Sequence, residues 1–346
     1  MNDDYLWDRS GPPDEEIAAL ERVLSPLAQP QPPAPLTRAA WGASPAERRG
    51  PATFVLLPLA AAATIALAVA PLWLRTAATS ATPPWAVVEV EGAASIASHT
   101  VNERSTLSAG QSLRTGPRGH VVLALGPVGH VEIAPGSEVT LLPAATGRYL
   151  FHLDRGAVTA LIWADPGRFF IDTHSSRAVD LGCAYTLRVD ARGEGELHVT
   201  TGWVGFQMRD RQALIPAGAM CRTHAHRGPG TPYFEDAPAA LRSAVDTIDG
   251  DADAATRAAA LDSALAAARP RDALTLWHLL QRVDAEERGR VYDRLAAIVP
   301  PPAGVTRDGV RAGDRRMLEL WWDSLGLGDT EWWHLMSRPW TEPSSR

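Results

Sequence analysis

Residues 120–143 read HVVLALGPVGHVEIAPGSEVTLLP. Three short apolar runs, HVVLALG, GHVEIAPG and SEVTLLP, follow one another with only glycine and proline as punctuation. Runs of this length are too short for a helix of useful stability but long enough to cross one sheet, and the polar residues that interrupt them recur at the period of a strand. The rhythm extends outward in both directions. WAVVEVEG opens it at Trp85, and RYLFHLDRG, AVTALIW, RFFIDT, YTLRVD, ELHVTTG, WVGFQM and ALIPAG continue it. A run every ~8–12 residues predicts an all-β domain over residues 85–223, built as a sandwich, a barrel or a short solenoid.

Upstream the period changes. Residues 54–74, FVLLPLAAAATIALAVAPLWL, contain no charged side chain. At about 1.5 Å per residue they make roughly 30 Å of helix, the thickness of a bilayer's hydrocarbon core, so they are expected to cross a membrane once. Pro58 and Pro71 fit a lipid-buried helix better than a soluble one. The apolar stretch begins too far from Met1 to be a cleaved signal peptide. Arg38, Arg48 and Arg49 precede it, whereas Arg75 is followed by no basic residue before Arg104. That bias predicts a cytoplasmic N-terminus and a periplasmic bulk, in the inner membrane of a bacterium with two membranes.

The tail, residues 1–53, carries two apolar clusters. Tyr5, Leu6 and Trp7 form one; after Pro12 and Pro13 the acidic Asp14, Glu15 and Glu16 suit a helix start, and Ile17, Leu20, Val23, Leu24 and Leu27 then recur at helical spacing. A helix this short needs a partner to cover its apolar stripe, which makes Tyr5, Leu6, Trp7, Ile17, Leu20 and Leu24 candidate partner-binding residues. The proline-dense stretch that follows reads as a semi-rigid spacer.

The 346 residues include no lysine, and 33 arginines against 40 acidic residues leave a net charge of -7. That balance excludes a general nucleic-acid binder. No glycine-rich phosphate loop, nucleophile elbow or H-E-x-x-H motif is present, so no enzyme activity and no cofactor are expected. Cys221, His224 and His226 form C-x-x-H-x-H, read as a solvated loop pair with no metal. Asp246, Asp249, Asp251 and Asp253 lack the spacing of a calcium loop and read as helix-capping and solvating residues. The only cysteines, Cys183 and Cys221, are a candidate disulfide in an oxidising periplasm.

Several segments of the β region carry a resemblance. Gly110-Gln111-Ser112-Leu113-Arg114-Thr115-Gly116 with Gly119, then Gly129, Val131, Ile133 and Ser137, and Leu153-Asp154-Arg155-Gly156-Ala157-Val158 come in order. Phe169-Phe170-Ile171-Asp172-Thr173, Val179-Asp180-Leu181-Gly182, Thr201-Gly202-Trp203-Val204 and Leu214-Ile215-Pro216-Ala217-Gly218 continue the series. Their order and spacing resemble the FecR family of single-pass bacterial regulators. The resemblance implies a protein that relays the state of an outer-membrane transducer, or another envelope protein, to a cytoplasmic extracytoplasmic-function sigma factor. Three features depart from the family: the tail holds one credible helix, Gly182-Cys183 stands where the family has Gly-Thr, and the C-terminal region is helical where the family has a small mixed α/β domain.

From residue 237 the period is helical, as in TRAAALDSALAAA, DALTLWHLLQRV and AEERGRVYDRLAAIV, which predicts an all-α domain over residues 237–346. Trp321, Trp322, Trp332 and Trp333 stand in adjacent pairs, and neighbours on a helix cannot both face one core, so these tryptophans are candidates for exposure to a partner. A second functional expectation is a non-signalling envelope scaffold whose β domain binds glycan or protein.

Overall fold

The computed structural model describes residues 84–327 apart from Thr146 and Asp210. The span expected at residues 54–74, the tail residues Tyr5, Leu6, Trp7, Ile17, Leu20 and Leu24, and Trp332 and Trp333 lie outside the described residues. Among the described residues no helix is long and apolar enough to cross a membrane.

The described residues are mostly β sheet followed by helices. Strands β1 Trp85–Glu91, β2 Ala94–Ile96, β3 His99–Thr100, β4 Thr106–Leu107, β5 Ser112–Thr115 and β6 His120–Ala124 come first. Then follow β7 Gly129–Ile133, β8 Glu138–Leu142, β9 Tyr149–Ile162, β10 Phe169–Asp172, β11 Arg177–Asp180 and β12 Ala184–Val189. The last six are β13 Gly195–Thr201, β14 Trp203–Met208, β15 Arg211–Pro216, β16 Ala219–His224, β17 Gly228–Pro229 and β18 Tyr233–Phe234. Strand structure therefore continues past residue 223, because β17 and β18 both add to β16.

The long strand β9 belongs to two sheets. Its second half lies between β7 and β12 in a sheet that runs β4, β1, β6, β7, β9, β12, β13, β16. Its first half lies between β8 and β10 in a sheet that runs β3, β2, β5, β8, β9, β10, β11, β14, β15. Every neighbour is antiparallel except β9 with β10. Alternating side chains of the two sheets meet in one core: Trp85 of β1 packs edge-on against Phe151 of β9 at 4.3 Å between ring centres, with Phe169 of β10 beside them. Of the three all-β architectures expected, this is the two-sheet, sandwich-like one.

β9 changes sheet at Gly156. Arg155 still pairs with Glu138 of β8, whereas Gly156 already pairs with Val189 of β12. Gly156 has φ +95°, and a Cβ there would fall inside Ser137. Ser137 Oγ accepts the Ala157 amide at 2.9 Å and donates to the Ala157 carbonyl at 3.2 Å, while its own amide donates to Thr115 Oγ1 at 2.9 Å. Thr115 Oγ1 in turn donates to the Ala134 carbonyl at 2.7 Å. Thr115, Ser137 and Gly156, which come from three separate segments of the motif series, thus form one joint.

The helices are α1 Ala239–Asp249, α2 Ala254–Ala267, α3 Ala273–Leu279, α4 Ala285–Ile298, α5 Arg307–Ala312 and α6 Arg315–Asp323. Their starts are set by capping. Asp253 accepts the Thr256 amide for α2, Asp284 and Glu287 form a reciprocal capping box for α4, and Asp314 accepts the Arg316 and Met317 amides for α6. All seven residues of α3 are buried, because this helix lies between the β domain and the outer helices.

The expected exposure of Trp321 and Trp322 is corrected: they are 0% and 3% exposed. Neighbours on a helix point about 100° apart, and both are buried because α6 packs against two surfaces. Trp321 meets Tyr292 of α4 at 4.9 Å, and Trp322 meets Trp277 of α3 at 4.6 Å and Trp203 of β14 at 6.1 Å.

The expected disulfide is also corrected. Cys183 and Cys221 are both free and buried. Cys183 directly precedes Ala184, which pairs with Thr201, whereas Cys221 pairs with Leu197 on the same strand β13. Four residues of strand at about 3.3 Å each separate those partners by roughly 13 Å, beyond the ~7 Å Cα reach of a disulfide.

Candidate functional site

At the seam between sheet and helices lies a cleft of about 420 Å³ lined by Met208, Arg209, Arg211, Gln212, His226, Arg227, Gln281 and Arg282. Three pieces of chain supply them. Met208, Arg209, Arg211 and Gln212 come from the tight β14–β15 hairpin, in which Met208 pairs directly with Arg211. His226 and Arg227 sit in the β16–β17 turn, and Gln281 and Arg282 follow the end of α3. In the hairpin turn Arg209 holds φ +55°, a left-handed conformation more often given to glycine or asparagine.

The electrostatics of the cleft are organised by Asp249, the last residue of α1, which is 2% exposed. Its Oδ1 accepts Arg211 Nη2 at 2.5 Å and lies 3.7 Å from Arg282 Nε, and its Oδ2 accepts the Thr231 amide at 2.6 Å. Arg282, whose side chain is 4% exposed, donates to Thr231 Oγ1 at 2.8 Å and to the carbonyls of Gly230 and Gln212. Burial pushes the Arg282 guanidinium below its ordinary range and Asp249 pulls it back up. Arg227 pairs with Asp251, and Arg209 has no ion-pair partner among the described residues. Among the described residues, four guanidinium groups thus face two carboxylates, a local positive excess in a chain whose net charge is -7. Such a cleft suits a carboxylate or phosphate group, which arginine can grip with two parallel hydrogen bonds.

The sequence reading missed this site. Its arginines are scattered among many others, and the acidic run that was expected to cap and solvate has a second role. Asp253 does cap α2, but Asp249 is a buried counter-ion, while Asp246 and Asp251 pair with Arg222 and Arg227. Cys221, His224 and His226 do not converge on one point. The Cys221 thiol is buried against the Gly230 carbonyl, and His224 Nδ1 lies 3.0 Å from Glu194.

Next to the cleft, Gln212, Ala213, Leu214, Trp277, His278, Gln281 and Trp322 enclose a small apolar pocket. His278 Nδ1 donates to the Leu274 carbonyl at 2.9 Å, and its Nε2 accepts the Leu214 amide of β15 at 3.1 Å. One neutral ring therefore fastens α3 to the sheet. Burial, and after it the Arg282 charge, lower its pKa to about 3. Elsewhere, burial pushes the Asp180 carboxyl up to about 7, against the hydrogen bonds of the Cys183 thiol at 2.8 Å and the Gly182 amide at 2.8 Å, which lower it. The Cys183 thiol is itself pushed up by burial and by Asp180.

These two groups tilt stability in opposite directions. The unfolded chain protonates His278 near 6.5 and the folded chain near 3, so His278 costs stability as pH falls through that window. Asp180 binds its proton near 7 when folded and near 3.8 when unfolded, so it adds stability as pH falls between those values. Each slope approaches about 1.4 kcal/mol per pH unit, and from roughly pH 4 to 6.5 they cancel. The expected result is that Asp180→Asn unmasks an acid-sensitive fold. In urea unfolding across pH 4–7, the difference between variant and wild type should change by about 1.4 kcal/mol per pH unit. A pH-independent difference would show that Asp180 does not titrate in this range.

No family model matches the chain, and no curated protein matches it. Solved structures that do match include two of a "putative anti-sigma factor" from Parabacteroides distasonis ATCC 8503, determined at 1.65 Å and 2.50 Å resolution. Each is 16% identical, with a TM-score of 0.32 over 38% of this chain. The matched part spans 63% and 62% of those chains, less than two thirds of their length. A likeness this weak carries no functional argument. The arginine cleft and the Thr115–Ser137–Gly156 joint rest on the geometry above.

Proposed function

We propose that this chain is a membrane-anchored signalling regulator of the FecR type. In this reading residues 54–74 cross the inner membrane, and the tail contacts a cytoplasmic extracytoplasmic-function sigma factor. The β domain and helices stand in the periplasm, where an outer-membrane transducer or another envelope protein delivers the signal. The observation that carries the reading is the joint at Gly156. Motif residues that resemble the family one by one, and are spread over some forty positions, come together to turn one strand between two sheets. Shared fold leaves function to the sites it bears. The arginine cleft supplies a suitable one, since it fits an acidic segment of an envelope partner. A single membrane helix transmits such binding by a change in assembly or by proteolysis.

The test is co-purification of the full-length chain from its host with mass-spectrometric identification of what is retained. A sigma factor held by wild type and lost in both Trp7→Ala and Leu20→Asp is the expected result. Retention of envelope proteins alone, unchanged by either substitution, would replace the regulator with an envelope scaffold.

A further inference from the structure

The outer face of β9 carries a second cluster, remote in sequence from the arginine cleft. Phe151 and Leu153 point into the core, so His152 and Asp154 share the opposite face two residues apart. β10 runs parallel to β9 with Asp172 opposite His152, and two residues further on the chain reaches His174. A turn holds that residue in place: the Thr173 amide donates to the Ser176 carbonyl, and Thr173 Oγ1 accepts the amides of Ser175 and Ser176. Register thus brings a histidine from the β10–β11 turn onto a His-x-Asp pair on the neighbouring strand.

One ligand atom from each of His152, Asp154 and His174 lies within 4.8 Å of the others. His152 Nε2 is 3.5 Å from Asp154 Oδ1, and the two imidazole rings are 5.3 Å apart at 71°. Of the neighbouring arginines, Arg177 pairs with Asp172 at 2.6 Å and Arg155 with Glu138 at 3.1 Å. Nitrogen and oxygen ligands around a four-coordinate ion sit about 3.4 Å from one another when each bond is ~2.0–2.1 Å. The separations here need only small side-chain rotations, and all three side chains are partly or fully exposed.

We propose that His152, Asp154 and His174 form a binding site for a divalent first-row transition cation of the zinc class. Two imidazoles and one carboxylate select such ions over calcium or magnesium, which prefer all-oxygen shells. Three protein ligands leave a fourth position for water or for a donor group from another molecule. The sequence shows no metal motif because two of the ligands sit at strand spacing and the third is supplied by a parallel neighbour. The C-x-x-H-x-H segment, which does resemble a motif, has its cysteine in the core.

The test is a cobalt titration of the untagged full-length chain in detergent micelles, read by the visible absorption of protein-bound cobalt. The expected result is a band saturating at one ion per chain and displaced by zinc. His152→Ala and His174→Ala should each weaken binding by at least about 100-fold, more than the loss of an outer-shell partner would, and His224→Ala should leave it unchanged. All variants should melt at the wild-type temperature in chelator, which separates a lost site from a lost fold. Absence of a saturable band, or a band that survives either His152→Ala or His174→Ala, would overturn the proposal.

Discussion

Gly156→Ala is expected to remove roughly 3–5 kcal/mol of stability, a large part of the ~5–15 kcal/mol that holds a domain folded. Two costs combine. An alanine at φ +95° is strained by about 1–2 kcal/mol, and its Cβ would occupy the space of Ser137 Cα and Oγ. Ser137 cannot retreat, because its side chain holds both polar groups of Ala157 and its amide is bonded to Thr115. Displacing it adds the overpacking penalty of about 1–3 kcal/mol, with about 1 kcal/mol for each hydrogen bond lost. Gly110→Ala is the control: it has φ +84° but nothing within 4 Å of the added Cβ, so it should lose only about 1 kcal/mol. Urea unfolding of the full-length variants, followed by tryptophan fluorescence, measures both. Equal losses would mean that the joint between the sheets yields, and that Gly156 matters only for its backbone angle.

Asp249→Ala is expected to cost about 3–5 kcal/mol, because it leaves Arg282 buried without its counter-ion. It also strips Arg211 of its partner and the Thr231 amide of its acceptor. Asp251→Ala, which removes a 90% exposed carboxylate from Arg227, should stay within about 1 kcal/mol of wild type. The pair Asp249→Leu with Arg282→Met removes the buried acceptor and the buried cation together, and should recover much of the loss. Thermal and urea unfolding of the four proteins decide the point. A loss below about 1 kcal/mol for Asp249→Ala would show that water reaches Arg282, and that the cleft is open to its floor.

The order of β structure followed by helices was legible in the sequence because period-two and period-3.6 patterns are local. So was the capping role of Asp253, which acts on the Thr256 amide three residues away. Gly156 and Ser137 were legible as members of a motif series, though not as neighbours.

What the sequence left open depends on which strand lies beside which. Cys183 and Cys221 look like a pair when counted along the chain, but β12 and β16 flank β13 at different heights and keep them apart. Trp321 and Trp322 look too close for both to be buried until α6 is seen to have two packed faces. Asp249 reads as one of four surface acids until the fold brings Arg211 and Arg282 to it from distant segments. His174 joins His152 and Asp154 only through the parallel register of β9 and β10. Periodicity is a property of neighbouring residues, and the sequence by itself determines it. Register and packing bring together groups tens of residues apart, so only the tertiary structure decides which charges, thiols and imidazoles meet.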